Sequence, residues 1–532
     1  MAKVRPKQPK AASEGNTKLS ILLAMAMFVL VVDTSIMNVS LSAVVKDLGT
    51  TVSDLQAAIA LEALVSAAFI LISSKVGDLI GRKKAYVLGL LGYATGAIAM
   101  TLTHNIAAVF IFWAIIGGLG ASLLLPAMQS LIHGNFTGAA QRKTYALVGA
   151  SAAIAAAVGP LLGGFLTTFI SWRVGFLMEA LVIAVILINI KLVKDVVYDG
   201  PRQIDFVGAL LSILGMGGVV LGILMWQEGA ESVGAVIAFG IVGLSLLAYW
   251  LVKRKRAGKT YLLDPDLFHL PNFRLGVSGQ MLQNIILGGA MIALPIFLQM
   301  TLGYSAMKTG LTIAPLSLSM FFVALIAGKR AGKRRSASLI RAGFILSTLG
   351  IAAIIPLVPR ADSGWVLVLP LIIAGSGLGL LVSQLNNYTL APIKSERISE
   401  AAGVNSASGS FGLSFGLAMA GGIMLAALSL SFTNLTAQST VIPADQQQQI
   451  YTTLEHDAQV FSDSQLQMQL AGQPQNIQSE VLDINSEARA TSLQVALLVP
   501  VLAGIIGIIN SFRMMRLPDV KPSADIEAAA LG

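Results

Sequence analysis

Cysteine is absent from all 532 residues, which excludes disulfides and thiolate metal sites. Histidine is nearly as scarce: His104, His133, His269 and His456 stand far apart and form no ligand-spaced group, so neither a metal nor another cofactor is expected. Charge is thin as well. Only 12% of the residues are Asp, Glu, Lys or Arg, against about 25% in a soluble domain. With 55% of the chain hydrophobic, the deficit excludes a large aqueous domain and points to lipid. No nucleophile–base pair or metal set stands out among the polar residues, which argues against a membrane enzyme. Two glycine-containing stretches imitate nucleotide sites and fail. "AGKT" at 257–260 has Lys253 where a phosphate-binding loop needs glycine, and "GSGLGL" at 375–380 lies inside an apolar run with no strand before it.

What the chain has in quantity is long apolar runs. A membrane span needs roughly 20 apolar residues to cross about 30 Å of hydrocarbon. Runs of that kind fall near 19–45, 54–75, 84–103, 107–131, 143–170, 174–194, 205–227, 232–252, 273–299, 308–328, 338–358, 365–390, 401–430 and 491–513, fourteen in all. The first follows the basic stretch "MAKVRPKQPKAASEGNTK" and runs on past Asp33. A cleavable signal peptide has a short apolar core and a small-residue cleavage site, so an uncleaved first span is the better reading.

The distribution of basic residues tests the count, because one missed span would invert every later loop. With the N-terminus inside, "GRKK", "QRK", "KLVKDVVYDGPR", "KRKRAGK", "GKRAGKRRSASLIR", "KSER" and both tails all fall on the inner side. Of 36 Lys and Arg, only Lys46, Arg173, Lys308, Arg360 and Arg489 remain outside. The net charge of +9 is therefore a topology signal. The basic runs sit at span ends without interleaved aromatics, unlike a nucleic-acid surface, so no nucleic-acid partner is expected. The organisation follows: a cytoplasmic basic tail at 1–18, six spans over 19–197, two spans over 198–258, six more over 259–516, and a cytoplasmic tail at 517–532. Within the last set, an outer loop at 431–490 is glutamine-rich and carries seven acidic residues against the single Arg489. It reads as a solvated cap, with room for a role in receiving substrate or an outer-envelope partner.

Three acids interrupt the oily spans. Asp33 lies in "VVDTSIMNV", Glu62 in "AIALEALVSAAF" and Glu179 in "GFLMEALVIAV". A charged group near the centre of a span costs roughly 2.5–3.5 kcal/mol on insertion scales and usually faces a cavity or a partner. No basic residue lies in the interior of the first six spans. Such carboxylates can take up and release protons, or hold a cationic guest. The C-terminal spans offer amides instead: Gln280, Gln283 and Asn284 in the ninth, and Gln384, Asn386 and Asn387 in the twelfth. These could bond a substrate or each other, and abundant methionine suits an adaptable apolar pocket.

Several motifs resemble those of the major facilitator superfamily, and specifically its fourteen-span drug:proton antiporter branch. "SSKVGDLIGRKK", between the second and third spans, is similar to the family's loop signature G-x-L-x-D-R-x-G-R-[RK]. Gly77, Asp78, Gly81, Arg82 and Lys83 are kept, while Ser74 and Leu79 depart from it. The resemblance implies a gating loop in which Asp78 and Arg82 latch the two halves on the inner side. Gly159, Pro160, Gly163 and Gly164 in "GPLLGG" resemble the antiporter element of the fifth span; a proline that removes a helix hydrogen bond and glycines that let backbones approach suit a hinge or seal. "VVDTSIMNVSL" resembles the first-span element L-D-x-T-I-V-N-V-A-L-P, with Asp33, Thr34 and Asn38 kept and Ser42 in place of proline. "SWRVGF" and "AAGVNSASGSFGLSFG" resemble elements of the sixth and thirteenth spans.

The resemblance covers about 19–513. It implies an all-α membrane protein of two six-helix bundles around a central cavity, with two inserted helices between them. The activity it implies is proton-coupled export of small amphipathic, drug-like molecules by a monomer in the cytoplasmic membrane. Asp33 and Glu62 would face that cavity and exchange protons for substrate, with Glu179 as a third, more peripheral candidate, and Asn38, Gln280, Gln283, Asn284, Gln384 and Asn387 would line it. Ala114 stands where the branch carries a fourth-span arginine, so Asp33 lacks the cation expected beside it. A lipid or natural-product exporter of the same fold, or a membrane sensor that no longer transports, are the competing readings.

Overall fold

A computed structural model describes residues 17–136, 138–196, 205–227, 233–329, 334–360, 363–393, 397–443, 466 and 474–518. Among these residues the ordered elements are helices, with no strand. This is what lipid demands, since a helix satisfies its backbone groups internally. The N-terminal bundle comprises α1 (Thr17–Leu48), α2 (Val52–Ile80), α3 (Arg82–Leu102), α4, α5 (Gly138–Phe169) and α6 (Trp172–Ile188). α4 is composite: a turn at Ile106–Ala108, a π-helical stretch Val109–Gly117 and an α-helix Gly118–Asn135. The inserted pair is α7 (Phe206–Gln227) and α8 (Val233–Arg256). The C-terminal bundle comprises α9 (Pro271–Ile296, continued by a π turn Phe297–Thr301), α10 (Ala306–Lys329), α11 (Ser336–Ile354), α12 (Val368–Leu390), α13 (Ile398–Gln438) and α14 (Gln475–Met515, with a break at Leu497).

Thirteen of these helices are long and apolar enough to span a bilayer. α6, with 17 residues, is shorter and is prolonged by a 3₁₀ turn at Ile190–Leu192. The fourteen apolar runs of the sequence thus each become one crossing element. α7 wedges against α2 and α13, whereas α8 packs on α7 and leaves most of its surface outward.

The bundles meet along two seams, α2 against α13 and α5 against α10. They are joined mainly at one end, where α1 finishes and α2 begins. There Val32, Ile36, Leu41, Val45, Leu55 and Ile59 share one hydrophobic core with Ile286, Leu294, Phe297 and Leu417 of the C-terminal bundle. The opposite halves of α1, α3, α5 and α6 form a separate core of their own, with Leu22, Leu23, Tyr86, Leu90, Val148 and Ile183.

The segment from 431 to 490, expected as a loop, is helical at both ends. α13 has 41 residues, about 60 Å at 1.5 Å per residue and twice the hydrocarbon thickness. Its far end packs on the start of α14, and Phe432, Ile442, Leu466, Ile477, Val481, Ile484 and Ala488 form a small core there. Arg489, expected outside in that loop, lies within α14 at 5% exposure and donates Nε to Asn485 Oδ1 at 3.1 Å. A spacing of apolar residues that suits two partners rather than one kept this pairing out of sight in the sequence.

Candidate functional site

Asp33 sits mid-way along α1 with 1% of its surface exposed. Tyr93 of α3 donates its hydroxyl to Asp33 Oδ2. Trp113 of α4 donates Nε1 to both carboxylate oxygens, at 3.2 and 3.1 Å. Both donors belong to the N-terminal bundle, so the side chain is turned into that bundle and not, as expected from the sequence, toward the cavity between the two: with no cation beside it, the carboxylate finds its donors on α3 and α4. Glu62 on α2, half-buried, and Glu179 on α6, 3% exposed, lie within the electrostatic reach of Asp33. Neither oxygen of Glu179 has a hydrogen-bond partner. Leaving a buried polar group unpaired costs about 1–3 kcal/mol, so this carboxyl is kept at a loss. No ion pair reaches any of the three acids among the described residues.

Local structure explains how the donors arrive. Tyr93 lies in "GLLGYATG", and these glycines let α3 lie backbone to backbone on α4: a Cβ added at Gly120 would stand 2.6 Å from the Tyr93 amide nitrogen. Trp113 lies in the π-helical stretch of α4, whose wider winding rotates its side chains away from the ordinary helical register. Its indole meets Phe176 edge to face at 6.4 Å. Ala114, fully buried, leaves no cation here, and neutral aromatic donors serve Asp33 instead. Sequence reasoning missed both, since neither carries a charge; the run of glycines around Tyr93 was the available signal.

The "GPLLGG" element of α5 lies between α1 and the other bundle. Added Cβ atoms at Gly159 and Gly163 would meet Ser35 Cβ at 2.5 Å and Ile36 Cα at 2.9 Å on α1. On the opposite side, a Cβ at Gly164 would stand 2.6 Å from the Ala306 carbonyl oxygen, and one at Gly310 would collide with that of Pro160. Thr168 Oγ1 accepts the amide of Met307 at 2.9 Å. The small residues are thus a seam between bundles. Close by, Gln299 of the α9 π turn holds α1. Its Oε1 accepts Ser42 N at 3.0 Å and Ser42 Oγ at 2.5 Å, and its Nε2 donates to Val39 O at 2.8 Å. Proline at 42 would have no N–H to give. Ser414 of α13 adds a bond to Ala60 O of α2 at 2.7 Å. Gln299 is a further residue that sequence reasoning passed over.

Between α2 and α3, Arg82 pairs with Asp78 and donates Nη1 to Ser74 O at 3.1 Å. Gly77 is packed against this arginine, and an added Cβ would stand 3.1 Å from Nη1. Gly81 has φ +100 and faces the Asp195 carboxylate, whose Oδ1 caps α3 by accepting Lys83 N at 2.9 Å. A side chain at 81 would meet both strain and that carboxylate.

The expected cavity amides divide. Gln384 accepts Ser336 Oγ at 3.1 Å and is 1% exposed, so it bonds within the C-terminal bundle. Asn386 Oδ1 accepts Asn405 Nδ2 at 2.5 Å, joining α12 to α13. Asn284 donates to Gln280 O at 2.9 Å, and both side chains abut Gly409 of α13. Asn38 donates to Thr34 O at 2.9 Å. Oxygens of Asn38, Gln283 and Asn387 are buried without a partner.

Three comparisons bear on this architecture. The family model described as Major Facilitator Superfamily matches residues 23–417. The multidrug resistance protein Stp of Mycobacterium tuberculosis is 27% identical over 420 residues, covering 78% of this chain and 77% of its own. The probable actinorhodin transporter of Streptomyces coelicolor is 24% identical over 412 residues, covering 75% and 71%. Among solved structures, a bacterial homologue of the human lysosomal transporter Spinster, inward-facing and unoccupied, superposes with a TM-score of 0.62 over 96% of this chain and 99% of that one, at 12% identity. Two six-helix bundles, an inserted pair and this family match lead to one conclusion: the chain belongs to the major facilitator superfamily and is a multi-pass membrane transporter, not an enzyme.

Proposed function

We propose that the protein exports small amphipathic, drug-like molecules, neutral or cationic, across the cytoplasmic membrane, driven by proton entry. The likeness to a multidrug resistance protein supports the cargo class. The observation that carries the coupling is Asp33: a carboxylate at 1% exposure, held by neutral donors beside Glu62 and Glu179. A guanidinium partner would fix its charge; hydroxyl and indole donors leave it free to exchange a proton. Both termini lie in the cytoplasm, and the protein acts as a monomer.

The bundles rock about the buried site in alternating access. Their junction through Gln299, Thr168 and the glycine seam is the outer closure, and the separate core of the inner N-terminal half lets that half move on its own. Asn38, Gln283 and Asn387 offer cargo their unpaired acceptors. The likeness to the actinorhodin transporter favours a second reading, in which the cargo is a natural product.

The test is efflux of a dye panel from proteoliposomes with and without an imposed pH gradient. Gradient-dependent efflux of several unrelated amphiphiles supports multidrug export. Movement of none of them, with or without the gradient, overturns it.

A further inference from the structure

We infer that Tyr93 and Trp113 are positioning residues for the proton-exchanging carboxylate, holding Asp33 in a site inside the N-terminal bundle and apart from the cargo. The inference rests on Asp33 being the coupling residue, as proposed above. Three helices converge on it. α1 supplies the acid, α3 the Tyr93 hydroxyl and α4 the Trp113 indole N–H, with Tyr93 4% and Trp113 3% exposed. One donor lies on Oδ2 and the indole bridges both oxygens, so the carboxylate plane is fixed by two separate helices. Trp113 is locked in turn by Phe176, three residues before Glu179 on α6. An indole N–H and a phenol are spent on a single carboxylate in a region where no cation balances it.

The groups facing Asp33 are few. Glu62 comes from α2, Glu179 from α6 and Tyr93 from α3. α5 packs along α1 and has no titratable side chain between Tyr145 and Phe169. α9 and α10 meet α1 from the other bundle and carry only Arg274, Lys308 and Lys329 as charged groups, all near their ends. The two aromatic donors are thus the neutral groups that tell Asp33 when to hold a proton. Because both are buried inside the N-terminal bundle, cargo in the cleft does not touch them, and protons act on cargo through movement of α1 rather than by displacing it.

The experiment uses the purified full chain in proteoliposomes, ethidium as the probe, and an imposed pH gradient across a series of pH values. Tyr93→Phe removes one donor and keeps the ring, and Trp113→Phe removes the other and leaves a smaller aromatic ring in its place. Both are expected to move the midpoint of the pH profile, in the same direction, by about half a unit or more, and the double variant further. Ethidium affinity at fixed pH stays within about twofold of wild type. Tyr86→Phe is the control: its hydroxyl, two turns earlier on α3, has no partner, and its removal leaves the midpoint in place. Asp33→Asn run in parallel separates the two claims. If it abolishes the pH dependence while both donor variants keep the wild-type midpoint, the positioning role is overturned and the coupling role stands. If Asp33→Asn keeps the wild-type profile, the coupling role itself fails and this inference with it. Should one donor variant not fold, the other alone decides.

Discussion

Ser42 on α1 and Gln299 on α9, 257 positions apart in sequence, are clasped across the bundle boundary by both the amide and the hydroxyl of the serine. Gln299 is 3% exposed and also reaches back to Val39 O. One side chain therefore ties two carbonyl and amide positions of α1 to the opposite bundle. Separating the bundles at this end must break all three bonds.

The clasp gives a graded prediction. A hydrogen bond contributes about 1 kcal/mol net, so losing three in Gln299→Leu favours the state open at this end by about 3 kcal/mol, roughly 150-fold. Ser42→Ala keeps the amide and shifts it less. The chain has no cysteine, so single cysteines introduced near the outer ends of α1 and α9 report opening through the rate of thiol labelling. Unchanged labelling in Gln299→Leu would show that the clasp does not hold the closed state.

The seam between α5 and α10 predicts a different failure. Bulk added at a packed contact costs about 1–3 kcal/mol. Gly164→Leu presses on Ala306 and Met307, and Gly310→Leu presses on Pro160. Both are expected to raise passive leak of protons through the protein, measured as decay of a pH gradient in proteoliposomes without cargo. Wild-type tightness in both variants would remove the seam from the seal.

The glycine–proline element, the loop motif and the three acids were all legible in the sequence, because each departs from its surroundings in charge or in backbone freedom. The helices were legible too, from the length of the apolar runs, and thirteen of them are long and apolar enough to cross a bilayer. The partners were not. Tyr93, Trp113 and Gln299 are ordinary residues in apolar helices, and what selects them is a helix crossing that no local pattern encodes. The π turns at Val109–Gly117 and Phe297–Thr301 change which side chains face inward, and helical periodicity read from sequence assumes they do not exist. Arg489 looked like a loop cation because its neighbours are polar, yet it is buried within α14.

Acid stability offers a test of the junction around Asp264. Asp264, between α8 and α9, is where the inserted pair meets the C-terminal bundle. It takes Lys255 Nζ at 2.7 Å on one oxygen and Arg397 Nη2 at 2.7 Å on the other, while its amide donates to Glu400 Oε1 at 2.7 Å. Burial works against its charge, but Lys255, the Asp266 amide and Arg397 outweigh it and hold the carboxyl below its usual range. A depressed folded value means the stabilisation is complete above the ordinary carboxylate range, about pH 4–5, and is lost as pH falls through the folded value. Asp264→Asn is expected to cost about 1–3 kcal/mol at neutral pH, seen as a lower Tm. The gap to wild type closes on acidification below about pH 4. A gap that persists there would assign the loss to packing instead.

The coupling role of Asp33 is tested most directly by uphill ethidium export in proteoliposomes under an imposed pH gradient, comparing wild type with Asp33→Asn while ethidium binding is followed separately. The expected result is that the variant binds ethidium yet no longer concentrates it against its gradient. If the variant still does so with an unaltered pH profile, protons do not pass through Asp33 and coupling at this carboxylate is contradicted.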